Sequence, residues 1–188
     1  MKIQIITPAP KGSRHGNRVT ALRWKSILAS LGHQVMVSER YDEEEADLMI
    51  ALHARRSAPA IERFSRLHPR TPIVVALTGT DVYKDISRSV SAVRSLKIAS
   101  RLVTLQDLAA LELPSDLRPK VRVIHQSVDP TSHSTSSEDM HFDVCVVAHL
   151  RPVKDPFRAA LASRLLPQSS RIRILQVGSA MSDSMARR

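Results

Sequence analysis

Apolar runs and helix-spaced apolar positions take turns along the whole chain. Lys2 to Ile6 reads as a short buried strand, after which Ala21, Trp24, Leu28 and Leu31 recur at spacings of three, four and three and share one helix face. Gly32 supplies a left-handed stop, and Gln34 to Val37 is the next strand. A third strand is expected at Asp47 to Leu52. The helix after it has Ser57 as a cap, Pro59 in its first turn, Ile61, Phe64 and Leu67 facing inward, and Pro69 as its end. Strand Ile73 to Leu77 follows. A helix from Ser87 to Ile98 turns Val90, Val93 and Leu96 or Lys97 inward, then come strand Arg101 to Leu105, a short helix near Asp107 to Leu113, and strand Val121 to His125.

Strand and helix alternating in this way predict an α/β fold, a doubly wound and mostly parallel sheet of Rossmann-like type over 1–129. Ligands of such a sheet sit at the carboxyl ends of its strands. The stretch 130–139 (PTSHSTSSED) has no apolar residue and reads as a linker. The pattern then restarts over 140–188 with strand Phe142 to Ala148, helix Pro156 to Leu166, strand Ile172 to Val177 and the start of another helix. This second stretch is too small to bury a core alone, so it is expected to be the incomplete opening of a second Rossmann-like domain.

Composition narrows the chemistry. The 188 residues carry 28 Lys+Arg against 18 Asp+Glu, a formal charge of +10, and 21 of the cations are arginine. Arginine's planar fork suits phosphate and carboxylate, so an anionic small molecule is the expected ligand, although much of the charge can be a solvated surface. Nucleic acid is not expected: aromatics are 3% and no basic run exceeds a pair, which leaves no stacking platform. The chain offers no membrane span and no signal-peptide layout, and its one cysteine excludes an internal disulfide, so a cytoplasmic protein is expected. Cys145, inside an apolar strand, reads as an inert core thiol. The eight histidines are scattered, and no metal or other cofactor is expected. Homo-oligomerisation stays open.

Five connections could carry function. The turn after the first strand holds Gly12, Ser13, Arg14, Gly16 and Asn17 ahead of a helix, a place where backbone and helix N–H groups meet an anion. It matches neither a GxGxxG fingerprint nor a Walker loop, and capping alone would also explain it. His53 and Arg55 end the third strand; Thr78, Gly79, Thr80 and Asp81 end the fourth, where N-capping is the plainer role. Ser127 and Asp129 precede the linker as hinge residues. His149, Arg151 and Lys154 lie between a strand's end and a proline-started helix, an arrangement that neutralises a diphosphate.

The segments TPAPKGSRHGNRVTALRW, LHARRS, LTGTDVYKD, IHQSVD and AHLRPVKDPFRAA, in this order and over nearly the whole chain, resemble GT-B glycosyltransferases, and more narrowly the selenosugar synthase family of selenoneine biosynthesis. The resemblance implies transfer of a glycosyl group from a UDP-sugar, UDP-glucose or UDP-N-acetylglucosamine, to selenophosphate. It places the acceptor mainly in the first domain and the nucleotide sugar mainly in the second, with Lys154 beside the donor diphosphate. His149 stands where retaining members carry an arginine, and Arg151 is placed to replace that charge. Lys154, Arg151 and Asp81 are thereby the candidate catalytic groups. The acidic region that holds the donor's ribose in such enzymes is not among these residues, so the chain alone is expected to be inactive or incomplete. The competing expectations are another GT-B nucleotide-sugar enzyme, such as an epimerase, and a non-enzymatic anion- or nucleic-acid-binding module.

Overall fold

The computed structural model describes residues 1–79, 81–128 and 140–187. Thr80, Asp129 and the expected linker 130–139 lie outside the described residues. The chain divides into two units, Met1–Asp129 and Pro130–Arg188.

In the first unit six parallel strands form one sheet: β1 (Lys2–Ile6), β2 (Gln34–Ser38), β3 (Leu48–Leu52), β4 (Ile73–Leu77), β5 (Arg101–Thr104) and β6 (Val121–Val123). Their order is β2-β1-β3-β4-β5-β6, and β1 pairs in register with both β2 and β3. The chain therefore moves one way from β1 and the other way from β3, which makes the gap between their carboxyl ends the topological switch point. Helices α1 (Gly16–Ser30), α2 (Ala58–Leu67) and α3 (Val90–Ile98) cover the sheet. Alternation along the strands sorts the core into two layers. Ile3, Ile5, Ile50 and Leu52 pack with Ala21, Trp24 and Leu28 of α1, whereas Ile6, Met49, Ala51, Val75 and Leu77 pack with Ile61, Phe64 and Leu96 of α2 and α3. This is a Rossmann-like, doubly wound α/β architecture.

Local signals explain most of the element ends. At the end of α1, Gly32 adopts φ +85°, its N–H bonds Ala29 O at 3.0 Å, and His33 N–H bonds Leu28 O at 3.1 Å, the paired bonds of a Schellman stop. Ser57 does not cap α2 as expected: its hydroxyl donates 2.6 Å back to Leu52 O, and Leu67 lies half exposed at the helix end. The third helix starts later than its pattern suggests. One π-type turn, Asp81–Asp85, intervenes, and Ser89 then caps α3 by accepting Ala92 N–H at 3.3 Å. Val90, expected inward, is exposed at the first helical position, and the buried side is Ala92, Ser95 and Leu96, with Lys97 outside.

In the second unit β7 (Phe142–Val147) and β8 (Ile172–Val177) pair in parallel, with two short helices, α4 (Arg158–Ser163) and α5 (Asp183–Ala186). The expected helix Pro156 to Leu166 shortens to α4, because the residues before it form one 3-10 turn, Pro152–Lys154, and Asp155 takes a left-handed conformation. Cys145 is exposed rather than a core thiol, since the strand that carries it has an uncovered face. No described helix is long and apolar enough to cross a membrane.

Candidate functional site

The carboxyl ends of β1, β3 and β4 gather most of the expected acceptor-side residues. His53 continues the β3 ladder by donating its N–H to Ala76 O at 2.9 Å, then bends the chain with φ +73°, an uncommon conformation for a residue with a side chain. The bend buries the imidazole. Its Nδ1 accepts Arg56 N–H at 3.4 Å, which leaves the proton on Nε2, and Nε2 points at Asp85 Oδ2, 3.6 Å away. Asp85 also pairs with Arg55, Nε to Oδ2 at 3.1 Å. Burial holds the His53 pKa below the ordinary histidine value, against the opposing pull of Asp81 and Asp85. His53 is thus neutral at pH 7 and has its basic nitrogen already engaged.

Asp81, expected among the catalytic groups, is fully buried and takes a different role. Its Oδ1 accepts N–H groups from Gly79 at 2.9 Å and Val82 at 3.2 Å, and its Oδ2 accepts those of Ala54 at 3.2 Å and Thr78 at 3.3 Å. Four backbone donors stitch the end of β3 to the turn after β4. Asp81 positions this layer, while Asp85, absent from the sequence-derived set, is the carboxylate that meets side chains.

The β1–α1 connection brings Gly12, Ser13, Arg14, Gly16 and Asn17 to the same end of the sheet. Gly12 has φ +80°, and Lys11 N–H bonds Glu39 Oε1 at 2.7 Å, which ties the loop down. Arg14 is exposed. Arg18, one turn into α1 and not foreseen from the sequence, is buried instead, with its Nε shielded and unpartnered. A signal for it was present: residues 1–38 contain six Lys and Arg and no Asp or Glu. The segment after β6 returns to this helix, where Gln126 Nε2 donates to Thr20 Oγ1 at 3.0 Å and Arg23 Nε to Ser127 Oγ at 3.4 Å. A hollow of about 290 Å³ beside Lys2, Gln34 and Glu44 lies at the opposite, amino end of the strands and has no part in this grouping.

In the second unit His149, Arg151 and Lys154 follow β7 and are all exposed. His149 Nδ1 accepts Ser179 N–H at 3.2 Å, so Nε2 carries the proton and can donate. The close approach that permits this depends on Gly178, where an added Cβ would lie 2.0 Å from Ala148 O. Lys154 does not sit before a long helix as expected; it closes the 3-10 turn, and Pro156 is buried ahead of the six-residue α4. Asp155 is engaged by Arg158, Nε to Oδ2 at 2.7 Å, which leaves the lysine's own charge unopposed by its neighbour. Among the described residues, no three His, Cys, Asp or Glu side chains group as a metal site.

No protein-family model matches the chain, and a search of curated proteins finds no significant match.

Proposed function

We propose that this protein is a GT-B-type glycosyltransferase that moves a glycosyl group from UDP-glucose or UDP-N-acetylglucosamine to selenophosphate. The observation that supports the reading is the same arrangement found in both units: cations at the carboxyl ends of parallel strands, where α/β sheets bind ligands. In the first unit these groups suit a small anionic acceptor. In the second, His149, Arg151 and Lys154 suit a diphosphate, Arg151 and Lys154 as exposed side-chain charges and His149 as an Nε2–H donor, rather than through the short helix behind them.

In this reading selenium attacks the anomeric carbon, the carbon–selenium bond forms as the carbon–oxygen bond to UDP breaks, and the bonding pair leaves on the diphosphate oxygen. Selenophosphate is already an anionic nucleophile, so no side chain has to remove a proton from it. That agrees with His53, whose Nδ1 is occupied by a backbone N–H. The work left to the protein is placing two anions together and stabilising the charge that develops on UDP.

The test is turnover by the protein, with any residues its gene encodes after Arg188, supplied with selenophosphate and each UDP-sugar and read by mass spectrometry of the product. A selenium-containing sugar and released UDP are expected. Lys154→Ala should lower kcat by about 10²-fold, the scale of removing one charge-stabilising group, and Lys154→Arg should recover part of it. UDP-sugar binding with no selenium transfer would overturn the proposal in favour of another nucleotide-sugar enzyme.

A further inference from the structure

Arg18 is placed unlike the other cations of the first unit. It is the third residue of α1, keeps only 8% of its surface exposed, and makes no side-chain hydrogen bond or ion pair among the described residues. Its Nε is shielded from water without a partner, which is costly, and arginine cannot shed its proton to avoid the cost. Three carboxylates at this end of the sheet have partners of their own: Glu39 accepts Lys11 N–H, Asp81 four backbone N–H groups, and Asp85 pairs with Arg55.

The loop and helix start before Arg18 add further unsatisfied groups. His15, at the N-cap position of α1, provides no side-chain cap, and the first turn holds no acidic residue, so the positive end of the helix dipole is uncompensated. Helix side chains as a rule lean toward the amino end, the direction this site requires of the Arg18 stem. Ser13, in the loop leading into the helix, has a hydroxyl shielded from solvent and without a partner. All of this lies after β1, at the switch point of the sheet.

We propose that Arg18, the Ser13 hydroxyl and the uncapped amino end of α1 form a binding site for a tetrahedral oxyanion of the phosphoryl class. A planar fork, a hydroxyl and convergent backbone N–H groups together match an acceptor with oxygens on several sides. The site deepens the glycosyltransferase reading, in which the anion is the phosphoryl group of the acceptor, and it makes Arg18 rather than the solvated Arg14 its principal charge.

The experiment titrates the 188-residue chain with sodium phosphate, selenophosphate and UDP, each against sodium chloride at matched ionic strength, reading the Gly16 and Asn17 amides by NMR and Tm by thermal unfolding. Phosphate and selenophosphate should shift both amides saturably and raise Tm. Arg18→Met should weaken phosphate binding by about tenfold or more, as loss of a charged hydrogen-bonding partner does. In phosphate-free buffer the same variant should keep or raise Tm, because a shielded and unpartnered N–H has been replaced by an apolar chain of similar length. Arg18→Lys, which keeps the charge, should retain part of the binding and serves if the methionine variant does not fold. No saturable response beyond sodium chloride would overturn the site, as would a lower Tm for Arg18→Met with phosphate binding intact. A response to UDP alone would overturn the acceptor assignment. Selenium transfer without a phosphate response defeats only this site; a phosphate response without transfer defeats only the glycosyltransferase reading.

Discussion

The two units carry similar strands and bury them very differently. In the first, β1, β3 and β4 are buried on nearly every residue, because each has strand neighbours on both sides and helices on both faces. In the second, β7 reads FDVCVV and β8 IRILQV, patterns as apolar as those of β1, yet among the described residues of that unit only Pro156 and Met185 are buried. Phe142, Val147 and Leu165 are exposed there. Hydrophobicity states what a side chain gains by burial, about 1.5–3 kcal/mol for a large one, while neighbours decide whether that gain is realised. The first unit stands by its core; the second, as described, stands by its backbone pairing.

The largest expected effect separates the units directly. Phe64 is fully buried and packs edge-on to Tyr41, with ring centroids 5.2 Å apart. Phe64→Ala should destabilise the first unit by about 3–5 kcal/mol in denaturant unfolding. Phe142→Ala, at a residue 69% exposed, should change stability by less than about 0.5 kcal/mol. Equal losses would mean that the second unit has a core of its own. Limited proteolysis checks the same contrast, with first cuts expected within 140–187 and the sheet of the first unit surviving.

The same contrast shows what a sequence can and cannot reveal. The strands of the first unit and the face of α1 marked by Ala21, Trp24 and Leu28 were legible, because alternating runs and helical spacing are local patterns. Cys145 sits in an apolar strand that predicts cover, yet it is exposed, because coverage is a property of neighbours. The later start of α3 escaped because the i→i+5 bond from Ile86 N–H to Asp81 O, 3.0 Å, depends on a carboxylate anchored 27 residues back at Ala54. Site positions were legible as strand ends, but roles were not. Asp81 and Asp85 look alike in sequence; only the fold commits one to backbone and the other to Arg55. The acid-free stretch 1–38 hints at a cation without a local partner, but which one is buried, Arg18 rather than Arg14, exists only in three dimensions.

A second test acts on the pairing that holds the smaller unit. Gly178 has φ +152°, and a Cβ there would meet Ala148 O at 2.0 Å and His149 N at 2.9 Å. Backbone on both sides leaves little room to yield. Gly178→Ala should therefore cost about 1–3 kcal/mol of local stability, the scale of a strained backbone, read as faster hydrogen exchange across β7 and β8. The sheet of the first unit should exchange as before. Slower or unchanged exchange in β7 and β8 would show that the turn relaxes, and with it the placement of His149.

The smallest expected effect is a pH dependence confined to the first unit. Burial lowers the His53 pKa in the folded protein, more than the attraction of Asp81 and Asp85 raises it, with Arg55 and Arg56 adding to the lowering. In the unfolded chain the group titrates near the ordinary value of about 6.5. As pH falls through that value the unfolded chain binds a proton that the folded one declines, so the stability due to this group is present above about pH 6.5 and is lost progressively below it. The loss stops at the lower, folded pKa. Unfolding measured between pH 7.5 and 5.5 should show a steeper loss for the wild type than for His53→Asn, a residue that tolerates the left-handed φ found here. The opposite sign, a wild type that gains on the variant as pH falls, would mean that Asp85 holds His53 as an imidazolium. In that event the positive charge of the first unit would extend from Arg18 across the whole carboxyl end of β3.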